Sequence, residues 1–242
     1  MKMRKHCSSW RAAAPLLLSL TVLGGLAPVM LHRSDNFNNN ALGSSWTDGT
    51  WGNIGVTETD SRLEFHTKGA TGVASAAGVL FDPHGINWKK DFHIEFTYKL
   101  SMNTIASPKQ LFLGAALAID GDFPETFTGL ACGLLRDVGG LWVGALRFQN
   151  GNVVDFDGSL ITQKTGKVEI DWDYSMDRLT VERSGGPSTE INGYYAANGG
   201  SFGTSPMAVT LGAVTYNGNL TFIGNNVFID NFEMDYFKRA FP

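Results

Sequence analysis

Glu169, Asp171 and Asp173 alternate with apolar residues and form the most chemically suggestive pattern in the chain. With the two-residue period of a β-strand, these acids point to one face, while Ile170 and Trp172 point to the other. Carboxylates grouped in this way can supply the nucleophile and the acid or base that cleave a glycosidic bond. The solvated face of an ordinary hairpin strand has the same pattern. The spacing alone therefore leaves both interpretations open.

Apolar alternation, interrupted by turns rich in Gly, Asn and Asp, recurs along the chain and predicts strands rather than long helices. The clearest example is 92–100, where even positions are apolar and odd positions are polar. The stretch 111–119 is almost continuously apolar, which predicts a strand that is covered on both faces or lines a tight curve. The predicted strands are 51–57, 61–67, 72–81, 90–101, 109–120, 127–136, 139–149, 166–174, 177–184, 207–216 and 226–237. So many strands indicate two packed antiparallel sheets, because one wide sheet would leave an apolar face exposed.

The first part of the chain has the features of an export signal. Basic residues between positions 2 and 11 precede an apolar run from position 15 to about 31, which glycines and a proline make short for a spanning helix. We predict that residues 1–33 are an export signal, with an uncleaved N-terminal anchor as the alternative. Residues 34–242 are then one secreted or extracytoplasmic domain, which contacts a membrane only if the anchor is retained.

The charge of the predicted domain excludes several classes of partner. Residues 1–33 contain five of the 19 Lys and Arg and none of the 23 Asp and Glu, so the remainder has a formal charge of 14 − 23, or −9. An acidic surface argues against nucleic acid. No phosphate-binding glycine loop of the P-loop or Rossmann type is present, so we expect no nucleotide. Cys132 stands alone in an apolar stretch and is expected to be a buried, inert thiol.

The two ends of the predicted domain carry a recognisable pair of motifs. The domain opens with Ser34-Asp35-Asn36-Phe37 and closes with Asp230-Asn231-Phe232 within an apolar strand. This pattern resembles the concanavalin A-like lectin/glucanase superfamily, which includes laminin-G-like modules and pairs such end strands in a jelly roll. The resemblance covers nearly all of residues 34–238. It implies an all-β fold, a two-sheet antiparallel β-sandwich of the concanavalin A-like jelly-roll type.

One branch of that superfamily, the family 16 glycoside hydrolases, carries Glu-x-Asp-x-(x)-Glu on a strand facing the concave cleft. Its first Glu is the nucleophile and its last is the acid/base. Glu169 and Asp171 match this motif, but Asp173 stands where the shorter form has Glu, and Asp is one methylene shorter. The residues that follow, 173–181, resemble a non-catalytic hairpin of the superfamily. We therefore favour no catalytic residue and keep a retaining hydrolase that uses these three acids as the alternative.

Calcium is the one metal ion that we consider, and its role would be structural. It takes carboxylate, amide and carbonyl oxygens, often on loops. Candidate ligands are Asp35 and Asp230 at the two ends of the domain, and Asp120 and Asp122 in one acidic turn. In related jelly rolls a structural calcium is often found near the paired end strands. No zinc motif is present and no other cofactor is expected.

Aromatic side chains are candidate platforms for sugar rings. Those we consider are Trp46, Trp51, Trp88, Trp142, Tyr194 and Tyr195, of which we favour Trp51, Trp88, Trp142 and Tyr194. The alternation places Trp142, Leu146 and Phe148 on one side of a strand, which would be the concave face. We expect a non-catalytic module that binds carbohydrate or another extracellular surface polymer. The alternatives are the hydrolase above and a structural or adhesive extracellular domain.

Overall fold

The computed structural model describes residues 29–72, 74–81, 86–103, 105–120, 128–150, 152–197 and 209–238, with only the backbone of 118–120. These residues form two antiparallel sheets, which confirms the predicted all-β sandwich. The helical elements of the described residues are α1, Tyr194–Ala197, and a 3-10 turn at Gly224–Asn226. No helix in this part of the chain is long and apolar enough to cross a membrane. Residues 1–28 of the predicted export segment lie outside the described residues.

The first sheet has eight strands in the order β13-β12-β11-β6-β15-β4-β3, with β1 also paired to β15. Its strands are β1 Met30–Asp35, β3 Ile54–Thr59, β4 Arg62–Thr67, β6 Phe92–Leu100, β11 Thr165–Asp173, β12 Arg178–Arg183, β13 Ser188–Asn192 and β15 Val227–Phe237. The second sheet has seven strands in the order β10-β9-β8-β7-β14-β5-β2. Its strands are β2 Trp46–Trp51, β5 Ala74–Phe81, β7 Gln110–Asp120, β8 Thr128–Arg136, β9 Leu141–Gln149, β10 Asn152–Ile161 and β14 Val209–Tyr216.

The structure corrects several predicted strands. The predicted strand 51–57 was wrong, because it runs across the turn between β2 and β3. In this turn Gly52 has a φ of +70°. Four strands were missed, and one of them is β2, of which the prediction covers only Trp51. In β10 the pairing with β9 shifts between Val153 and Asp155, so the apolar alternation is broken. β13 is mostly polar, and β1 pairs residues 30–33, which precede the predicted boundary, with β15.

The core between the sheets confirms the alternation read from the sequence. On β6 the even residues from Phe92 to Leu100 are buried and the odd ones are half-buried. On β7 both faces are buried, as predicted. Leu111, Leu113 and Leu117 face the core between the sheets, whereas Phe112 joins a second apolar cluster on the outer face of the seven-stranded sheet.

The two end motifs meet in one aromatic cluster. Asp35 accepts hydrogen bonds from the backbone N of Phe37, at 2.8 Å, and from the indole Nε1 of Trp46, at 2.7 Å. The ring of Trp46 lies 5.3 Å from that of Phe81 and 5.2 Å from that of Phe232. Because Phe232 belongs to one sheet and Trp46 and Phe81 to the other, the cluster joins the sheets at the chain ends.

A row of glycines crosses the whole seven-stranded sheet. One glycine from each strand pairs in register with the glycine of the next strand, and all of them face outward. In strand order the row is Gly49, Gly78, Gly212, Gly114, Gly133, Gly144 and Gly158. A Cβ on Gly114 would meet the carbonyl oxygen of Cys132 and lie 2.9 Å from the Cα of Gly133. At these interior positions neighbouring backbones are therefore too close for any side chain.

The outer face of the eight-stranded sheet is charged and hydrogen-bonded. His93 Nδ1 lies 2.7 Å from Asp171 Oδ1, and its Nε2 lies 3.4 Å from Glu95 Oε2. Lys167 Nζ contacts both Glu95, at 2.7 Å, and Glu169, at 2.9 Å. The hydrogen bond to Asp171 is the main cause that raises the pKa of His93 to about 9, although burial acts in the opposite direction.

We predict that Gly114→Ala destabilises the protein, whereas Gly49→Ala does not. The new methyl group at position 114 meets backbone atoms that cannot move aside, and overpacking of this kind costs about 1–3 kcal/mol. At Gly49 no atom lies within 4 Å of the added Cβ. Urea unfolding of both variants measures the difference. Equal stability of the two variants would contradict a close-packed glycine row.

We predict that the free energy of unfolding decreases as the pH rises from about 6.5 to about 9. A histidine whose pKa is raised on folding stabilises the protein while it is charged, and this stabilisation is lost as the pH passes the folded pKa. Allowing for solvent screening, the loss is on the order of 1 kcal/mol. Urea unfolding across this pH range should show the decrease for the parent protein but not for His93→Gln. The control His32→Gln removes a more exposed pair, at 2.8 Å, and should keep the decrease.

Candidate functional site

A groove lies on the outer face of the seven-stranded sheet. It has a volume of about 440 Å³ and is lined by residues of β2, β5, β14, β7 and β8. Its floor is the glycine row, from Gly49 at the sheet edge to Gly114 near the middle. This volume is within the range of pockets that bind small molecules. The groove crosses the strands, because the glycines that form its floor are register partners.

The two walls of the groove differ in chemistry. The wall on one side of the floor consists of register partners that are all apolar: Trp51, Ala76, Val214 and Phe112. The partners on the other side are Thr47, Leu80, Thr210, Ala116 and Ala131. Asp48 and Thr50 line the open end at β2. Hydroxyl groups and the carboxylate are thus confined to one wall and the sheet edge.

The seven-stranded sheet curves toward this face. Phe148 on β9 and Tyr216 on β14 have ring centroids 6.0 Å apart, although β7 and β8 lie between their strands. A flat sheet would hold β9 and β14 about 14 Å apart, at three strand spacings. The face is therefore concave. Its apolar residues form a second cluster that buries Phe112, Phe148 and Tyr216, and burial raises the pKa of the Tyr216 hydroxyl.

Trp142 lies on the concave face in a fixed orientation. Its indole Nε1 donates a hydrogen bond of 3.0 Å to Asp137 Oδ1, which also accepts bonds from the backbone N of Gly139 and Gly140. The ring lies edge-on to Phe156 at 6.3 Å. The β8–β9 turn therefore holds the partly exposed indole in place through one carboxylate oxygen.

The structure places two of the four favoured aromatic residues on the same face, far apart from each other. Trp51 and Trp142 belong to the same outward-facing row of the seven-stranded sheet, on β2 and β9. Five strand spacings, about 24 Å along the sheet, separate their strands. The predicted grouping of Trp142 with Leu146 and Phe148 on the concave face is also found.

The other aromatic candidates lie elsewhere. Trp88 is buried in the core, 4.8 Å from the ring of Phe92, and its carbonyl accepts a hydrogen bond from Trp172. Tyr194 packs against the same core from α1, and burial raises the pKa of its hydroxyl. Trp46 and Tyr195 are buried as well. Sequence alternation could not separate these core aromatics from the exposed ones.

The three carboxylates lie on the other sheet, with their side chains engaged locally. Glu169 pairs with Lys167, and Asp171 with His93. Asp173 accepts hydrogen bonds from Ser175 Oγ at 2.7 Å and from the backbone N of Met176 at 3.1 Å. These bonds, led by that from Ser175, lower the pKa of Asp173. The acids of β11 therefore point away from the groove.

The candidate calcium ligands do not converge in the described residues. Asp35 uses its two oxygens for Phe37 and Trp46, and Asp230 accepts a hydrogen bond from the backbone N of Asn231 at 2.7 Å. Burial raises the pKa of Asp230, which disfavours the charged form a cation needs. Asp122 and the side chain of Asp120 lie outside the described residues. Among those described, no three His, Cys, Asp or Glu are grouped to hold a metal ion.

Sequence reasoning missed the glycine row and therefore the groove. Each glycine was visible within its strand, but the row exists only after seven strands are placed in register. One signal was available. Gly78, Gly114, Gly133, Gly144 and Gly212 each sit near the middle of an apolar stretch, where glycine often marks close approach of another backbone.

Comparison with solved structures identifies the fold. The carbohydrate recognition domain of Emp47p matches with a TM-score of 0.54 and 15% identity, over 86% of this chain and 95% of that chain. The seed lectin of Lotus tetragonolobus matches with a TM-score of 0.54 and 11% identity, over 87% and 100%. The potassium-bound domain of Emp46p matches with a TM-score of 0.50 and 14% identity, over 82% and 90%.

Sequence comparison adds nothing to this likeness, since neither a protein-family model nor a curated protein matches the chain. At these identities the matches show the fold alone. Together with the two antiparallel sheets, they confirm what the end motifs implied: the chain has the concanavalin A-like jelly-roll fold.

Proposed function

We propose that this protein is a non-catalytic carbohydrate-binding module that acts in a secreted or extracytoplasmic setting and uses its concave face. The observation that carries the proposal is the groove over the glycine row, with Trp51 in its wall and Trp142 further along the same row. Aromatic and small apolar side chains suit the apolar faces of sugar rings. The threonines of the opposite wall offer hydroxyl groups to the ring substituents.

The fold supports the same proposal. The Emp47p domain is described as a carbohydrate recognition domain and the Lotus protein as a lectin, and both share this architecture. Fold alone does not determine function, so the proposal depends mainly on the groove. A structural calcium ion held by Asp120 and Asp122 stays a proposal.

We predict that Trp51→Ala and Trp142→Ala each lower affinity for a bound glycan about tenfold, or ~1.4 kcal/mol. Each change removes a partly exposed indole from the concave face. The control is Tyr174→Ala, which removes an aromatic side chain that is 40% exposed but follows β11 of the other sheet. A glycan array identifies the ligand and calorimetry measures affinity, with unfolding curves to show that each variant is folded. Loss of binding only in the Tyr174 variant would refute the assignment.

We predict that the protein releases no reducing sugar from β-glucan, and that Glu169→Gln changes glycan affinity less than twofold. Glu169 lies on the sheet opposite the groove and pairs with Lys167 at 2.9 Å. A reducing-sugar assay with parent and variant proteins tests both statements. Hydrolysis by the parent protein that disappears in Glu169→Gln would establish the retaining hydrolase instead.

A further inference from the structure

We propose that the folded domain begins at Met30 and that export processing cleaves the chain within 24–30, before this residue, and not after Arg33. A signal peptidase would hydrolyse one peptide bond in this stretch, which leaves a new carboxylate on the leader and a new amino group on the domain. The inference concerns the maturation of the chain. It is independent of the proposed ligand, because β1 belongs to the sheet opposite the groove.

Residues 30–33 are part of the eight-stranded sheet. Strand β1 has six register pairs with β15, from Met30 opposite Phe237 to Asp35 opposite Phe232. Cleavage at the boundary predicted from the sequence would remove four of these six pairs. Antiparallel neighbours exchange backbone hydrogen bonds along such a ladder. The four residues are therefore a structural part of the domain and not a leader that precedes it.

β1 covers a part of β15 that borders the core. β6 pairs with one edge of β15, and β4 pairs with the other edge near the start of the strand. β1 continues along this second edge as far as Phe237. Met234 and Tyr236, which lie in the covered part, are 0% and 1% exposed. Removal of residues 30–33 would open this edge beside the core and leave backbone groups of β15 unpaired.

Two side chains of β1 make specific contacts that cleavage after position 33 would remove. Leu31 lies opposite Tyr236 and packs against the core between the sheets. The next residue, His32, faces the other side of the strand, and its Nδ1 lies 2.8 Å from Oδ1 of Asp235. The segment thus contributes both an apolar contact and a polar contact to the sheet.

The residue types at the two boundaries favour the earlier one. Signal peptidases act after small residues, which stand one and three positions before the cleaved bond. At the boundary predicted from the sequence, these positions hold Arg33 and Leu31, which are both large. Small residues occur upstream at Gly24, Gly25 and Ala27. The stretch that supplies a suitable site therefore ends before β1 begins.

Expression of the full chain with a C-terminal tag in a secreting bacterial host tests the processing site. The intact mass of the exported protein should correspond to an N-terminus between positions 25 and 30, so that Met30 and the three residues after it are present. An N-terminus at position 31 or later would overturn the inference. Exported protein that still begins at Met1 would overturn it as well.

A pair of variants of the exported protein tests the structural reason. Leu31→Asp places a charge against the core and should lower the Tm by about 3 °C or more. The matched control is Val29→Asp, since Val29 is 71% exposed and precedes β1, and its Tm should equal that of the parent. If the mature chain began at Ser34, the exported protein would contain neither change. Equal Tm values for Leu31→Asp and the parent would therefore overturn the inference.

Discussion

Close approach of neighbouring backbones at the glycine row is the constraint on which the concave face depends. At Gly114, Gly133 and Gly144 an added Cβ would meet backbone atoms of the adjacent strand. Side chains at these positions would fill the channel and push the strands apart. Their absence lets the Phe112 ring lie against Gly114 and the Thr210 methyl group lie against Gly78.

The two sheets differ in the chemistry of their outer faces. The eight-stranded sheet has a single buried face and an outer face in which Glu95, Lys167, His93 and Asp171 satisfy one another. The seven-stranded sheet is apolar on both faces, with one cluster between the sheets and another on the concave side. The groove to which we assign the proposed ligand lies on this second apolar face. The carboxylates that suggested hydrolysis lie on the outer face of the eight-stranded sheet, where they form ion pairs and hydrogen bonds.

The sequence was sufficient to predict the sandwich, because period-two alternation on β6 and the end motifs are local signals. Asp35, Phe37 and Phe232 carried the fold resemblance, and the structure shows why, since they belong to one aromatic cluster and its hydrogen bonds. The candidate site was harder to predict from the sequence. Whether Trp88 or Trp142 is buried depends on strand order, and the glycine row depends on register across seven strands. Neither can be read from one strand at a time.

The Asp137 carboxylate has a further consequence for the glycan recognition that we propose at Trp142. One oxygen accepts hydrogen bonds from the indole and from two backbone amides of the turn, so the ring is immobilised when the protein folds. A mobile aromatic side chain would lose rotational entropy on binding, at about 0.5–1.5 kcal/mol. Here that entropy is lost before any ligand arrives. For the proposed ligand, the indole would thus be a preorganised platform whose contacts translate more fully into affinity.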